Sequence, residues 1–399
     1  MKNMLPAAVP TNAELDAFTR AWLGNWLTAQ TINGFVVPAR TAMASIIDNW
    51  PKIPGTAQLD LDKAPFRLLA IVNRMDLRNG TGAKQAGEGR FVFALLDSSG
   101  QAATSNPSQW PTFPRPFVAI LEYNLPVVAG SDAVIHDVAW WAERWHELGA
   151  LALPSAAFND KLAQITDAFS GRIAPSTSFP NGHALAQLRT NEIALASPWE
   201  LREFVLRAAA DGTRQLGEVT TKQTPDMTFN DLPAKRAQLV AWMTTNKAAV
   251  LAAASTIPDT LPDGTPFLSG SALSPTPNFT WLEGETTAPA GFTALEWETA
   301  KRNLGTNTCN GCHTGEQNDP SVSSDGNTPF LHIAPRAVGT AAATSRFIRV
   351  TDMPNRKLMH FRALGCGSAT DAGSAPNGSN VGTGVARSAS PPPPPMRVH

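Results

Sequence analysis

Cysteine is scarce, three in 399 residues, which excludes a fold stapled together by disulfides. Charge is scarce as well, at 16%, below the usual quarter. Lys and Arg number 32 against 33 Asp and Glu, a formal net charge of −1. A nucleic-acid binder needs a basic surplus or stripe, so no nucleic-acid partner is expected. No apolar run approaches the roughly 18–20 residues of a membrane-crossing helix, so no transmembrane segment is expected. The opening Met1–Pro10 has one positive charge and an apolar stretch interrupted by Pro6 and Pro10. It falls short of the about 7–15 consecutive apolar residues of a secretory signal, and no export signal is visible there. No repeat recurs at a period of roughly 20–50 residues.

What is present is 43% hydrophobic residues, 33 prolines, 29 glycines and 11 tryptophans. The length exceeds what one core usually holds, so two domains with many loops are expected. Thr11-Asn12-Ala13-Glu14 is a capping box, and Leu15, Phe18, Trp22 and Trp26 follow at helical spacing, predicting a helix to about Gln30. Val134, Val138, Trp141, Trp145 and Leu148 share one face of a second helix, started near Ser131 and Asp132. Ser155 caps a third, and Pro233 opens a fourth. Strand-like runs lie at Phe66–Val72, Arg90–Leu96, Phe117–Tyr123 and Glu203–Leu206.

Helices and strands mix without strict alternation, so residues 1–255 read as a large α+β domain. Residues 256–289, rich in Pro, Gly, Ser and Thr with Trp281 as an isolated anchor, read as a linker. Residues 290–366 then form a small, mostly α domain. Residues 367–399, rich in Pro, Gly and Ser, read as a disordered tail.

One motif carries chemistry. Cys309-Asn310-Gly311-Cys312-His313 is a C-x-x-C-H sequence. Two thiols three positions apart on one helical turn suit thioether bonds to two haem vinyl groups, and the adjacent histidine then aims an imidazole at the iron. Thr293-Ala294-Leu295-Glu296 is a second capping box, predicting a helix into the motif with Gly305 at a left-handed C-cap. Forty residues after His313 comes Met353-Pro354, followed by Leu358, Phe361 and Leu364 in a helical pattern.

Helix, C-x-x-C-H, loop-rich middle, Met-Pro and terminal helix together resemble the class I c-type cytochrome domain, over about 75 residues of this chain. The resemblance implies haem c, with Cys309 and Cys312 as attachments, His313 as proximal iron ligand and Met353 as distal ligand. The helix departs from the family's in having Gly305 and Lys301 four and eight positions before Cys309. The stretches Phe66–Arg78, Leu188–Ile193 and Trp199–Phe204 resemble those of a bacterial family of large proteins with one such motif, which implies no activity. His332, between Leu331 and Ile333, is the alternative distal ligand. A five-coordinate, open iron is a third arrangement.

The expected role is electron transfer by a monohaem cytochrome working with a redox partner protein. Covalent haem attachment takes place outside the cytoplasm, so a periplasmic or extracellular location is expected. An open distal site would instead make a peroxidase- or oxygenase-like haem enzyme, with an unknown small-molecule substrate. A third possibility is a non-catalytic binding protein, its Cys309, Cys312 and Cys366 joined by His332 around a structural zinc ion. A Cys309–Cys312 redox pair is a further alternative.

Two polar clusters stand apart from the motif. Asn73-Arg74-Met75-Asp76 with Glu88 and Arg90, and Arg189, Asn191, Glu192, Glu200, Arg202 and Glu203, suit a binding cleft or buried ion-pair networks. The networks are the favoured reading.

Overall fold

A computed structural model describes residues 1–7, 9–78, 85–95, 117–127, 137–153, 155–171, 183–208, 212–276, 279–312 and 353–365. The chain begins with α1 (Asn12–Gly24), the hairpin β1 (Gln30–Ile32) and β2 (Phe35–Val37), and α2 (Ala42–Asn49). Next come β3 (Phe66–Arg74), β4 (Gln85–Leu95) and β5 (Val118–Pro126). Helices α3 (Val138–Glu147) and α4 (Ala156–Ser170) lead to β6 (Leu185–Asn191), β7 (Trp199–Ala208) and β8 (Arg214–Val219). Three helices, α5 (Thr228–Asp231), α6 (Pro233–Thr245) and α7 (Lys247–Leu251), precede β9 (Ser271–Ser274). The described chain closes with α8 (Ala294–Thr306), α9 (Cys309–Cys312) and α10 (Met353–Ala363). Helices and sheet together match the expected α+β class. Among the described residues no helix is long and apolar enough to cross a membrane.

Local signals place most helix starts. The Thr11 and Thr293 capping boxes both form, Ser155 accepts from the Phe158 amide, and Pro233 occupies the first turn of α6. Two expectations shift. The first helix stops at Gly24, and Trp26 is buried beyond its end. The tryptophan helix starts at Asp137, whose side chain accepts from the Trp140 amide. Ser131 and Asp132 lie outside the described residues.

The main sheet is an antiparallel meander, β3-β4-β5-β6-β7-β8, with β9 pairing the first half of β7. Its register sorts the faces. Ile71, Phe91, Leu121, Leu188 and Phe204 align across five strands, and all of these but Ile71 pack in or against a core containing Trp22, Trp26, Trp141 and Phe169. The rings meet edge-on or tilted, as Trp26–Phe204 does at 5.1 Å between centroids. Each such contact adds about 0.5–1.5 kcal/mol beyond area burial. The opposite face aligns Arg90, Glu122 and Gln187, then Arg189 with Glu203.

The 256–289 stretch is packed and does not act as a linker. Ile257, Leu261, Phe267, Phe279, Trp281 and Leu282 are buried in a second core with Phe229, Trp242, Trp297 and Leu304. Pro and Gly bend this segment, while these irregularly spaced apolar residues turn inward. The described parts of 290–366 are not set apart either: α8 belongs to the second core, whereas Ala363 and Leu364 at the end of α10 pack into the first. The 367–399 tail lies outside the described residues.

At the end of the apolar face sits a fully buried charge cluster. Arg202 lies 3.3 Å from Glu192 and 3.6 Å from both Glu200 and Glu218, and Arg40 pairs with Glu192 and Glu200. The Arg202 guanidinium also stacks over Trp26 at 5.6 Å. Three carboxylates meet two guanidiniums, so one proton balances the cluster. Burial pushes Glu218 up to about 8 and Glu192 up to about 7, with Arg202 opposing in both cases.

The folded chain therefore holds protons here that the unfolded chain, titrating near 4.5, releases. This contribution to stability is complete below pH 4.5 and declines as pH rises through about 7 to 8. Thermal melts from pH 5 to 8.5 should show the decline, and Glu218→Gln should flatten it. Arg202→Ala leaves the carboxylates without their central cation and should cost about 3–5 kcal/mol in urea denaturation.

Candidate functional site

Helix α8 delivers the C-x-x-C turn onto the sheet. Its last turn runs through Gly305 and Thr306, and α9 doubles back so closely that a Cβ on Gly311 would lie 2.5 Å from the Gly305 carbonyl oxygen. Gly311 is thus required by backbone contact. Gly305 is an ordinary helical residue and not the left-handed cap its position suggests; the helix runs one residue past it, to a cap at Asn307.

A polar scaffold fixes the turn. The Cys309 amide donates to Thr224 Oγ1 at 3.0 Å, and the Cys312 amide to the Thr308 carbonyl at 3.0 Å. Trp281 Nε1 donates to Thr308 Oγ1 and Asn310 Oδ1, both at 3.0 Å, while Asn310 Nδ2 reaches the Leu273 carbonyl on β9. Trp281, which the composition marks as a linker anchor, is instead the post that this turn leans on.

Beneath lies the charged face. Arg189 donates to Glu122 through Nε and Nη2 at 2.6–3.0 Å, and Arg90 approaches the same carboxylate at 3.3 Å while binding Glu88 at 2.6 Å. Burial would raise Glu122, but Arg189 and Arg90 outweigh it and hold the carboxyl at about 2. Lys222 bridges Gln187 and Glu203 at the border with solvent. Both sequence clusters are thus built as ion-pair networks, including Arg74 with Asp76 at 2.8 Å. Glu122 and Lys222 complete them and carry no sequence motif; an acid in the otherwise apolar run Ala119–Tyr123 is the one available signal.

Cys309 and Cys312 are both buried and not in a disulfide, with Cys309 packed against Trp199, Leu201 and Ala272. Burial pushes the Cys309 thiol up; Arg189 works against that and Glu203 with it. A neutral, enclosed thiol is a poor nucleophile, which disfavours the redox-pair reading. Among the described residues no three His, Cys, Asp or Glu side chains gather as a metal site. His313, His332 and Cys366 lie outside the described residues.

The spacing of the two thiols, three positions apart on one turn, is that of a haem attachment pair, while both sulfurs are enclosed in this fold. Met353 is placed elsewhere. Helix α10 packs on α3 and the turn Met75–Leu77, and Met353 lines a cavity with Ile71 and Val72 of β3. Cys309 sits on β7, four interstrand steps of about 4.8 Å away, roughly 19 Å. The structure does not bring these two predicted site residues together. Searches of protein-family models, curated proteins and solved structures found no match to the chain.

The Gly311 contact has a direct test. On a Cys366→Ser background without haem, Cys309 and Cys312 should react slowly with a thiol reagent in the native state. Gly311→Ala should speed that labelling at least tenfold and lower stability by about 1–3 kcal/mol, the usual cost of overpacking. Unchanged labelling would show that the α8–α9 contact does not hold the turn.

Proposed function

We propose that Cys309 and Cys312 carry covalently attached haem c with His313 on its iron, and that the chain transfers electrons to a redox partner protein outside the cytoplasm. The observation that supports this reading is that both thiols, outside any disulfide, stand three positions apart on the one short helix Cys309–Cys312. When bound, the haem would supply one-electron iron chemistry. Thr224, Thr308 and Trp281 keep the attachment turn in place, and Asn310 ties it to β9. Arg189 and Glu203 put charge beside Cys309, close enough to influence a reduction potential.

A second reading gains support from the position of Met353. With that thioether on β3, the distal side is left to His332 or to an exogenous ligand. The latter favours peroxidase- or oxygenase-like chemistry over electron transfer alone.

The full chain, exported and co-expressed with a cytochrome c maturation system, should retain haem on a denaturing gel. Cys309→Ala with Cys312→Ala should lose it. A colourless product with one equivalent of zinc would move the assignment to a structural metal. The ferrous protein should leave its Soret band unchanged under carbon monoxide if it only transfers electrons. A carbon monoxide shift, unaffected by Met353→Ala, would instead establish an open iron and the enzyme reading.

A further inference from the structure

Helices α10 and α3 bring His360 and His146 together at the cavity against β3, which measures about 700 Å³. The ring centroids stand 6.3 Å apart, with the ring planes tilted by 35°. His360 is partly buried and His146 is exposed, and among the described residues neither imidazole takes part in a hydrogen bond. Two rings from two different helices thus meet at one space with their nitrogens unspent on the protein. Burial, and then the neighbouring His146, hold His360 below its ordinary value, which keeps a lone pair on that ring at neutral pH.

The charges around the pair are offset. Glu143 stands one turn before His146 on α3, and Lys357 one turn before His360 on α10, both of them exposed. Arg74 grips Asp76 through three contacts of 2.8–3.1 Å, Arg144 and Lys161 take Glu147, and Arg356 has a partner of its own. Ligation by nitrogen, and not charge, must therefore hold whatever binds here. Zinc and copper accept imidazole nitrogen, at about 2.0–2.1 Å for zinc, whereas magnesium and calcium demand oxygen. Two imidazoles on one tetrahedral ion hold their ring centres about 5 Å apart, so the pair has to close by about 1 Å, which side-chain rotation supplies. We propose that His146 and His360 bind one divalent ion of the zinc or copper type and so pin α10 to α3. Among the described residues no group of three His, Cys, Asp or Glu gathers here, so water fills the remaining positions of the ion. The site is separate from the C-x-x-C turn and stands whether or not haem is attached there.

Zinc titrated calorimetrically into the untagged full chain, stripped beforehand with a chelator, should bind saturably, and magnesium should not. His146→Ala and His360→Ala should each weaken zinc at least tenfold, and combining them should weaken it less than threefold further. Cys309→Ala with Cys312→Ala should leave a zinc site of the same affinity, which separates this pair from a thiol-bound metal. With chelator present, the histidine variants should melt with the parent; with zinc present, the parent's midpoint alone should rise. The copper(II)-loaded parent should show electron spin-echo modulation from two imidazoles, and each single variant from one. Zinc binding that survives both histidine variants, or that disappears with the two cysteines, would overturn the proposal. So would copper held by a single imidazole in the parent.

Discussion

Glu122 is a carboxylate without solvent, held between Arg189 and Arg90, and the arrangement beneath the C-x-x-C turn depends on it. A sheet face bearing Arg90, Arg189, Glu203 and Gln187 has no intrinsic reason to be covered. Desolvating those charges costs several kcal/mol per ion unless each finds a partner at good geometry. The antiparallel register supplies that geometry by setting Arg90, Glu122 and Gln187 directly across adjacent strands. Once these charges are neutralised in pairs, α9 can lie over the face and bring Cys309 close to Arg189. The network also makes the site directional: the sulfur environment is apolar toward Trp199 and Leu201, and ionic toward Arg189 and Glu203.

The sheet repeats this solution at its other end in a less balanced form. Around Arg202 there are more carboxylates than guanidiniums, and a proton makes up the difference. Glu122 gains stability above pH 4.5 and loses it as pH falls toward about 2, whereas Glu218 and Glu192 lose it on the alkaline side. The two clusters thus pull in opposite directions with pH, so the fold is best supported at mildly acidic pH. Uniqueness of register is the compensating gain. A one-residue slip would invert both faces, placing Phe91 and Leu121 with the charges and Glu122 in the aromatic core.

This inversion of the usual pattern explains what the sequence conceals. Helix starts were readable because their signals are local: a threonine, a serine or a proline with its partner three residues on. Strands β3, β4 and β5 were readable because their apolar runs are nearly continuous. Strands β6 and β8 were not predicted and β7 only in part, since buried charges alternate along them and mimic a solvated surface. The 256–289 segment misleads for the opposite reason: its Pro and Gly bend the chain, but Ile257, Leu261, Phe267, Phe279 and Trp281 follow no helix or strand period while still filling a core. Five of the eleven tryptophans owe their place to burial. Trp26, Trp50, Trp141, Trp281 and Trp297 are fully buried, and all but Trp26 spend the ring N–H on a backbone or side-chain acceptor that a phenylalanine would leave unmet.

Met353-Pro354 shows most clearly why spacing alone cannot assign a ligand. A proline at the second position of a helix is a start signal, because its missing N–H has no intrahelical partner there. Met353 and Pro354 open α10, so the pair has a complete explanation in helix initiation. The 39 residues between His313 and Met353 could span any distance across the molecule, so chain length imposes no choice of side. The sequence of α10 itself does discriminate. Met353, Arg356, Lys357 and His360 recur at i, i+3, i+4 and i+7, one face of a helix, and three of these four are basic. A helix whose purpose was to seat one thioether on iron would have little use for that stripe. Packed against β3 and α3, the same stripe lines a cavity, and the methionine becomes one part of its rim.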